Sequence, residues 1–165
     1  MPICEFSSTF PIHINHVDIS YTSLKDGEIV ERIISPHTLV CTPLRWHVRA
    51  YCEHAGDYRD FVLSRIHDIP EVNNSTVNGK PGDTLWNTDV NVELVPDARF
   101  NEKQKSVIEK DYGMSDSVLN IATNASLIRY VLDTYNINIH VQESTPQGQQ
   151  IVVRNMDELK PYIVF

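Results

Sequence analysis

The sequence predicts a mixed α+β protein: a small antiparallel β-barrel, followed by a ferredoxin-like α+β unit. Three observations carry this. Up to residue 66, runs of β-branched and aromatic residues are separated by turn-forming clusters. After residue 88, strand-like alternation interleaves with helical spacing. Between the two lies the most loop-like stretch of the chain, Asn73-Asn74-Ser75-Thr76 and Asn78-Gly79-Lys80-Pro81-Gly82-Asp83. The expected organisation is therefore a barrel domain with an N-terminal arm over 1–71, a linker over 72–87, and an α+β domain over 88–165.

Residues 1–11 show no period and contain two prolines, which suits an extended arm. Val17, Ile19 and Tyr21 alternate with Asp18 and Ser20, as in a strand with one buried face. Lys25-Asp26-Gly27-Glu28 is a turn, with Gly27 supplying the permissive dihedral. A second strand is expected over 29–34, closed by Pro36, and a third over 37–41. Two further runs, 45–51 and 58–66, flank Cys52-Glu53-His54-Ala55-Gly56-Asp57 and read as a β-hairpin. Five short antiparallel strands tend to curl so as to remove their edges. Residues 66–70 either add a helical turn or leave the barrel.

In the second part, 90–95 alternates as a strand ended by Pro96-Asp97. Asn101 can cap a helix running to Asp111, with Val107 and Ile108 facing inward and Gly113 as its stop. Residues 117–123 alternate again. Leu127, Ile128, Val131 and Leu132 fall at helical spacing within 126–135. A strand or an approach to one is expected over 137–141 and a strand over 150–153. Asn155 can cap a last short helix containing Met156, Leu159 and Tyr162.

A hydrophobic fraction of 41% in 165 residues suffices for a packed core. No apolar run approaches the roughly 20 residues that span a bilayer, and the N-terminus lacks a basic start and apolar run. A cytoplasmic protein without membrane contact is the expectation. Cys4, Cys41 and Cys52 are odd in number and share no metal spacing, which suits reduced thiols, two of them buried in strands. His13 and His16 would point to opposite faces of a strand, so no metal set is expected. There is no nucleophile elbow and no phosphate-cradling glycine loop, so neither an enzyme nor a resident cofactor is expected. The net charge of −8 argues against binding nucleic acid over the whole surface but leaves room for a local basic site.

The hairpin carries the most specific signal. In its first strand Trp46, Val48 and Ala50 share one face while His47, Arg49 and Tyr51 share the other. In the second run Arg59, Phe61, Leu63 and Arg65 share a parity, an apolar centre with an arginine at each end. On a straight strand the two arginines would stand about 20 Å apart. Trp46 is expected in the core.

Arg45-Trp46-His47-Val48-Arg49-Ala50-Tyr51, preceded by Ser35-Pro36-His37-Thr38-Leu39-Val40 and followed by Arg59-Asp60-Phe61-Val62-Leu63-Ser64-Arg65-Ile66, resembles the WYL domain. Of the eponymous tripeptide only Trp46 is kept, with His47 and Val48 departing from it. The Arg-x-Phe-x-Leu-x-Arg-Ile ending matches almost position for position. The later part is similar to the C-terminal extension that follows WYL domains in many bacterial regulators. Asp111-Tyr112-Gly113-Met114 and Tyr130-Val131-Leu132 resemble the subgroup linked to phage-defence loci.

The resemblance implies an Sm- or SH3-like barrel that senses a ligand, and a chain that forms a homodimer. The implied effector is a nucleotide or a single-stranded nucleic acid. The residues it nominates are Tyr21, Arg32, His37, His47, Arg49, Arg59 and Arg65, with Arg45 where the family pattern is loose. Promoter DNA would be met through a helix-turn-helix domain that this chain lacks, the chain being either the effector portion of a longer regulator or a stand-alone partner. The alternative is a structural or adaptor dimerisation module without an effector.

Overall fold

The computed structural model describes residues 4–6, 15–140 and 143–163. They fall into two compact units, Met1–Thr84 and Leu85–Phe165. Both sheets are antiparallel, and the mixed α+β class expected from the sequence is observed. Of the expected elements, His13 and Val141 lie outside the described residues.

The first unit is one sheet of β1 (Cys4–Phe6), β2 (Asn15–Thr22), β3 (Ile29–Cys41), β4 (Trp46–Cys52), β5 (Asp57–Val62) and β6 (Ile66–Ser75). The strand order is β5-β4-β3-β2-β6, with β1 added along β3. Among the described residues nothing pairs β5 with β6, so the sheet is open and the expected closed barrel is not observed. The residues expected as an extended arm include β1, paired with Leu39, Val40 and Cys41.

Pro36 does not close a strand as expected. β3 runs straight through it, joining what the sequence presents as two strands. The reason lies in the pairing. The ladder to β2 ends at Ile34, opposite Val17, and the ladder to β1 begins at Leu39. Pro36 therefore sits in the gap, where a missing N–H costs no hydrogen bond among the described strands. On its other side the register to β4 slips between Pro36 and Thr38, a bulge that admits His37 as the extra residue.

The hairpin is present as β4 and β5. Gly56 takes φ +62°, and its N–H donates to the Cys52 carbonyl at 2.9 Å. The second run is shorter than expected: Leu63–Arg65 form a 3-10 turn, so Arg65 does not continue the parity of Arg59. The next ten residues, Ile66–Ser75, are an edge strand on β2, and they occupy the first part of the stretch read as loop. Ile19, Ile34, Val48, Ala50, Cys52 and Phe61 form the core, with Tyr21 packed edge-on against Phe61 at 5.2 Å.

Trp46 is 39% exposed and is not part of this core. It lies at the start of β4, opposite Cys41, where the strand enters from an exposed turn. Cys41 and Cys52 are free thiols, the second buried and the first half-buried.

The second unit comprises β7 (Asp89–Pro96), α1 (Glu102–Asp111), β8 (Leu119–Asn124), α2 (Ile128–Thr134), β9 (Ile151–Val153) and α3 (Met156–Leu159). Among the described residues its sheet has the order β8-β7-β9, three antiparallel strands rather than the four of a ferredoxin-like fold. Helix α1 begins as its sequence dictates. The Asn101 side chain accepts from the Gln104 N–H at 3.1 Å, and the Gln104 side chain accepts from the Asn101 N–H at 2.9 Å.

The same helix stops at Gly113, φ +62°, where Met114 N–H reaches the Glu109 carbonyl at 2.8 Å and satisfies an otherwise orphaned acceptor. Ile108 is buried as expected, but Val107 is 57% exposed. Consecutive helical residues are about 100° apart, and α1 lays only one stripe on the core.

Leu127, Ile128, Val131 and Leu132 are all buried, at the spacing that suggested them. Residues 137–140 are not a strand. Asn155 precedes α3 but does not cap it. Its side chain instead accepts from Glu93 N–H and donates to the Asn91 carbonyl, tying the helix start to β7.

Candidate functional site

The alternation along β4 and β5 separates the nominated residues by face. Ala50 stands opposite Arg59, and Val48 opposite Phe61, so Arg59 lies at the margin of the apolar face and is exposed. Arg32, opposite Ile19, and Tyr21 belong to this face as well. Tyr21 is committed to packing, and its hydroxyl accepts from Val62 N–H at 3.2 Å. Arg32 donates to the carbonyl of Glu31 at 2.8 Å.

The other face carries His47, Arg49 and Tyr51, opposite Val62, Asp60 and Tyr58. His37 joins them through the bulge in β3. The sheet thus brings His37, His47 and Arg49 together, and it does not bring them together with Tyr21, Arg32 or Arg59. Arg65 approaches from the turn after β5, near enough to influence His47.

Arg49 is the centre of the polar face and is buried, 5% exposed. Its Nε donates to Asp83 Oδ2 at 2.7 Å and its Nη2 to Asp83 Oδ1 at 3.1 Å, a two-pronged pairing of guanidinium and carboxylate. Nη1 donates to Asp60 Oδ1 at 3.4 Å. His37 Nε2 lies 3.2 Å from Asp83 Oδ2. A carboxylate only accepts, so that nitrogen carries the proton, and Nδ1 faces the Thr38 hydroxyl at 2.8 Å.

Burial works against the charge on Arg49. Hydrogen bonds and charges from Asp83 and Asp60 outweigh it and raise its pKa above the ordinary value. The cation is therefore fixed in place, with its charge answered inside the protein.

Asp83 reaches this face from the end of a strap, residues 76–83, that crosses the strands. Lys80–Gly82 make a 3-10 turn in it. The Tyr58 hydroxyl donates to the Gly79 carbonyl at 2.7 Å, and Asn78 Nδ2 donates to Glu53 Oε1 at 3.1 Å. Gly82 is required by space: a Cβ there would stand 2.5 Å from the Tyr58 hydroxyl. Tyr58 in turn packs edge-on against His37 and Tyr51. Burial, the Asp83 charge and neighbouring Tyr51 raise the Tyr58 pKa, so it stays a hydroxyl donor.

Asp83, Asp60 and Tyr58 were not among the residues singled out from the sequence. The available signal was that one parity of β4 is apolar and the other sets Arg49 between the rings of His47 and Tyr51. Such a strand is covered on both faces, and a charge within it needs a buried counter-charge.

His47 is 2% exposed, and burial lowers its pKa from the ordinary 6.5. The Asp60 charge opposes the shift, and the guanidinium groups of Arg45 and Arg65 add to it. Below about pH 6.5 the unfolded chain then binds a proton at this site more readily than the folded one. The stability that neutral His47 provides is present above that pH and is lost as pH falls below it. Thermal unfolding between pH 7.5 and 5.5 should therefore show a smaller drop in midpoint for His47→Gln than for the parent chain. Equal drops would mean that His47 is protonated as easily folded as unfolded.

Arg45, Arg59 and Arg65 contrast with Arg49. Among the described residues none of the three has a carboxylate within ion-pairing distance. No group of three or more histidine, cysteine or acidic side chains among the described residues is placed to hold a metal ion. No described helix is long and apolar enough to cross a membrane.

The first unit is thus an open antiparallel sheet with an arginine-centred polar face, and the second a separate α+β unit. Residues 13–71 match the WYL domain, and residues 89–159 match the family described as BrxR transcriptional regulator, C-terminal dimerization domain. The chain carries a WYL domain followed by this dimerization domain.

Among curated relatives, the DNA-binding transcriptional repressor CapW of Pseudomonas aeruginosa is 36% identical over 149 residues, covering 90% of this chain and 50% of that one. CapW of Escherichia coli (strain KTE188) is 32% identical over 143 residues, covering 87% and 48%. The chain spans about half the length of the curated relatives it matches. Among solved structures, the proteasome accessory factor B/C of Arthrobacter aurescens is similar at 18% identity, with a TM-score of 0.33 over 89% of this chain and 23% of that one. That likeness is too loose to argue from.

Proposed function

We propose that this chain is the ligand-sensing and dimerisation portion of a cytoplasmic bacterial transcriptional regulator, and that its effector is a nucleotide or single-stranded nucleic acid. The observation that carries the reading is the pairing, in one chain, of a WYL domain with a regulator dimerization domain, in the order held by repressors at 32–36% identity. The second unit makes the homodimer. Promoter contact is assigned to a separate helix-turn-helix domain, as the relatives' greater length allows.

The chemistry of the first unit agrees with an anionic effector. Arg59 is exposed and Arg65 half-exposed, and among the described residues neither lies within ion-pairing distance of a carboxylate. A guanidinium presents a planar fork suited to phosphate, and exposed Trp46 offers an aromatic surface for a base. The nominated set divides by face: Arg59 and Arg32 meet phosphates at the margin of the apolar face beside Tyr21, while Arg45 and Arg65 meet them near His47, on the face that also carries His37 and Arg49.

The test is binding of a short 5′-phosphorylated oligothymidylate to the full chain at a series of salt concentrations, followed by fluorescence anisotropy. Arg59→Ala should weaken binding and lower the slope of log affinity against log salt by about 0.7, the release of one counterion from a single strand. Arg154→Ala should do neither, because Arg154 lies in the second unit and is paired with Glu93 at 2.7 Å. If no oligonucleotide or mononucleotide binds at low salt, or if both substitutions act alike, the first unit is a scaffold and the adaptor reading replaces this one.

A further inference from the structure

We propose that Asp83 is an internal stand-in for the effector's acidic group: a phosphate or carboxylate of the effector takes its place on Arg49 and His37, and the strap 76–83 is released in the exchange. This rests on the anionic-effector reading above and specifies how that effector is sensed.

Asp83 meets Arg49 with both oxygens, at 2.7 and 3.1 Å, and His37 with one, at 3.2 Å. A guanidinium fork and an imidazole N–H converging on two oxygens would grip a phosphate equally well. Yet the carboxylate does not belong to the sheet that positions these donors. It arrives on a strap in which Asp83 is the one buried side chain. Thr76, Asn78 and Lys80 are half-buried, Val77, Pro81 and Gly82 are exposed, and buried Gly79 has no side chain. Val77, the one large aliphatic residue of the strap, is 94% exposed. Little apolar burial holds the strap down; polar contacts hold it, among them the Asp83 pairing and the Tyr58–Gly79 and Asn78–Glu53 hydrogen bonds.

Removing Asp83 alone would leave a buried cation short of its main partner, which is strongly unfavourable. Replacing it by another anion avoids that penalty, because Arg49 keeps its bonds while the released Asp83 carboxylate regains water. Asp60 lies on β5 and stays beside Nη1 at 3.4 Å, so the guanidinium remains aimed while the partner changes. Its negative charge also sets a threshold, since an incoming anion must displace Asp83 in the presence of a second carboxylate.

The exchange has an outlet in the chain itself. The second unit begins at Leu85, two residues after Asp83, so freeing the strap frees the segment that leads into the dimerization domain.

Hydrogen exchange on the full chain tests this, with the oligothymidylate as probe. In the parent chain, bound oligonucleotide should speed amide exchange across 76–84 at least about threefold while slowing it elsewhere on the first unit. Asp83→Asn keeps the side-chain shape and removes the competing charge. It should raise exchange in 76–84 without ligand and tighten oligonucleotide binding by about fivefold or more, the fraction of closed strap no longer being deducted.

Gly82→Ala, which forces the Tyr58 hydroxyl aside without touching the Arg49 pairing, should move both readouts the same way. It serves as the second variant if Asp83→Asn does not fold. Oligonucleotide that binds the parent chain but leaves exchange in 76–84 unchanged overturns the exchange and leaves the effector reading standing. So do folded variants that bind no tighter. Failure of the parent chain and both variants to bind at low salt overturns the effector reading together with the exchange.

Discussion

Arg49→Met is expected to destabilise the first unit by about 3–5 kcal/mol, the usual consequence of stranding one partner of a buried ion pair. The substitution keeps much of the stem's volume, so the loss comes from charge rather than from a cavity. It leaves Asp83, 1% exposed, bonded to the His37 N–H but without the guanidinium that answers its charge. The same reasoning fixes the behaviour of the double substitution. Arg49→Met with Asp83→Leu removes both charges, and exchanging a buried pair for apolar side chains is often neutral or better. Most of the lost stability should therefore return.

Hydrogen exchange of the β4 and β5 amides under graded urea measures both variants. A single substitution that costs less than about 1 kcal/mol would show Asp83 to be hydrated in the folded protein. A double variant no better than the single would show that Asp60 and His37, rather than Asp83, set the demand for a cation. Specificity follows from the same geometry. An apolar face of equal stability could be built here, and what the charged version adds is a site whose internal anion can be exchanged for an external one.

The parts of this fold that were legible in the sequence are those determined within a few residues of chain. Asn101 with Gln104 and Gly113 fix both ends of α1, because a cap and a left-handed stop are satisfied by local backbone groups. The apolar spacing of Leu127, Ile128, Val131 and Leu132 fixes the buried stripe leading into and along α2. Gly56 fixes the hairpin turn.

What was not legible depends on partners far along the chain. Pro36 ends a strand only if both of its sides must be paired, and the sequence does not say that β2 has already left and β1 has not yet arrived. β6 is exposed along nearly its whole length and its apolar Ile66, Ile69 and Val72 do not alternate, so it has no strand period to read, and its existence is owed to β2. At the candidate site, the family resemblance was sufficient to nominate His37, His47 and Arg49. Their grouping was not, since it needs the bulge at His37 and a carboxylate 34 residues away from Arg49. Arg59 and Arg65 fit a single strand by parity, but β5 ends at Val62 and the 3-10 turn at Leu63–Arg65 removes Arg65 from it.

Leu94→Ala is expected to destabilise the second unit by about 2–5 kcal/mol. Leu94 lies on β7, the central strand of the three, paired with Leu119 on one side and Val153 on the other. It is fully buried, and truncation removes three carbons whose space a strand laddered on both sides cannot easily close. Val107→Ala supplies the contrast. The helical pattern nominated Val107 for the core beside Ile108, but it is 57% exposed, and its truncation should change stability by no more than about 0.5 kcal/mol. Ala also forms helix more readily than Val, so the sign could favour the variant. Urea unfolding with hydrogen exchange read on β7 and α1 distinguishes the two. A loss of more than about 1 kcal/mol for Val107→Ala would mean that its exposed side chain is covered in solution, and a dimerization domain offers a second copy of the chain as the cover. That loss would then depend on protein concentration, whereas the loss at Leu94 would not.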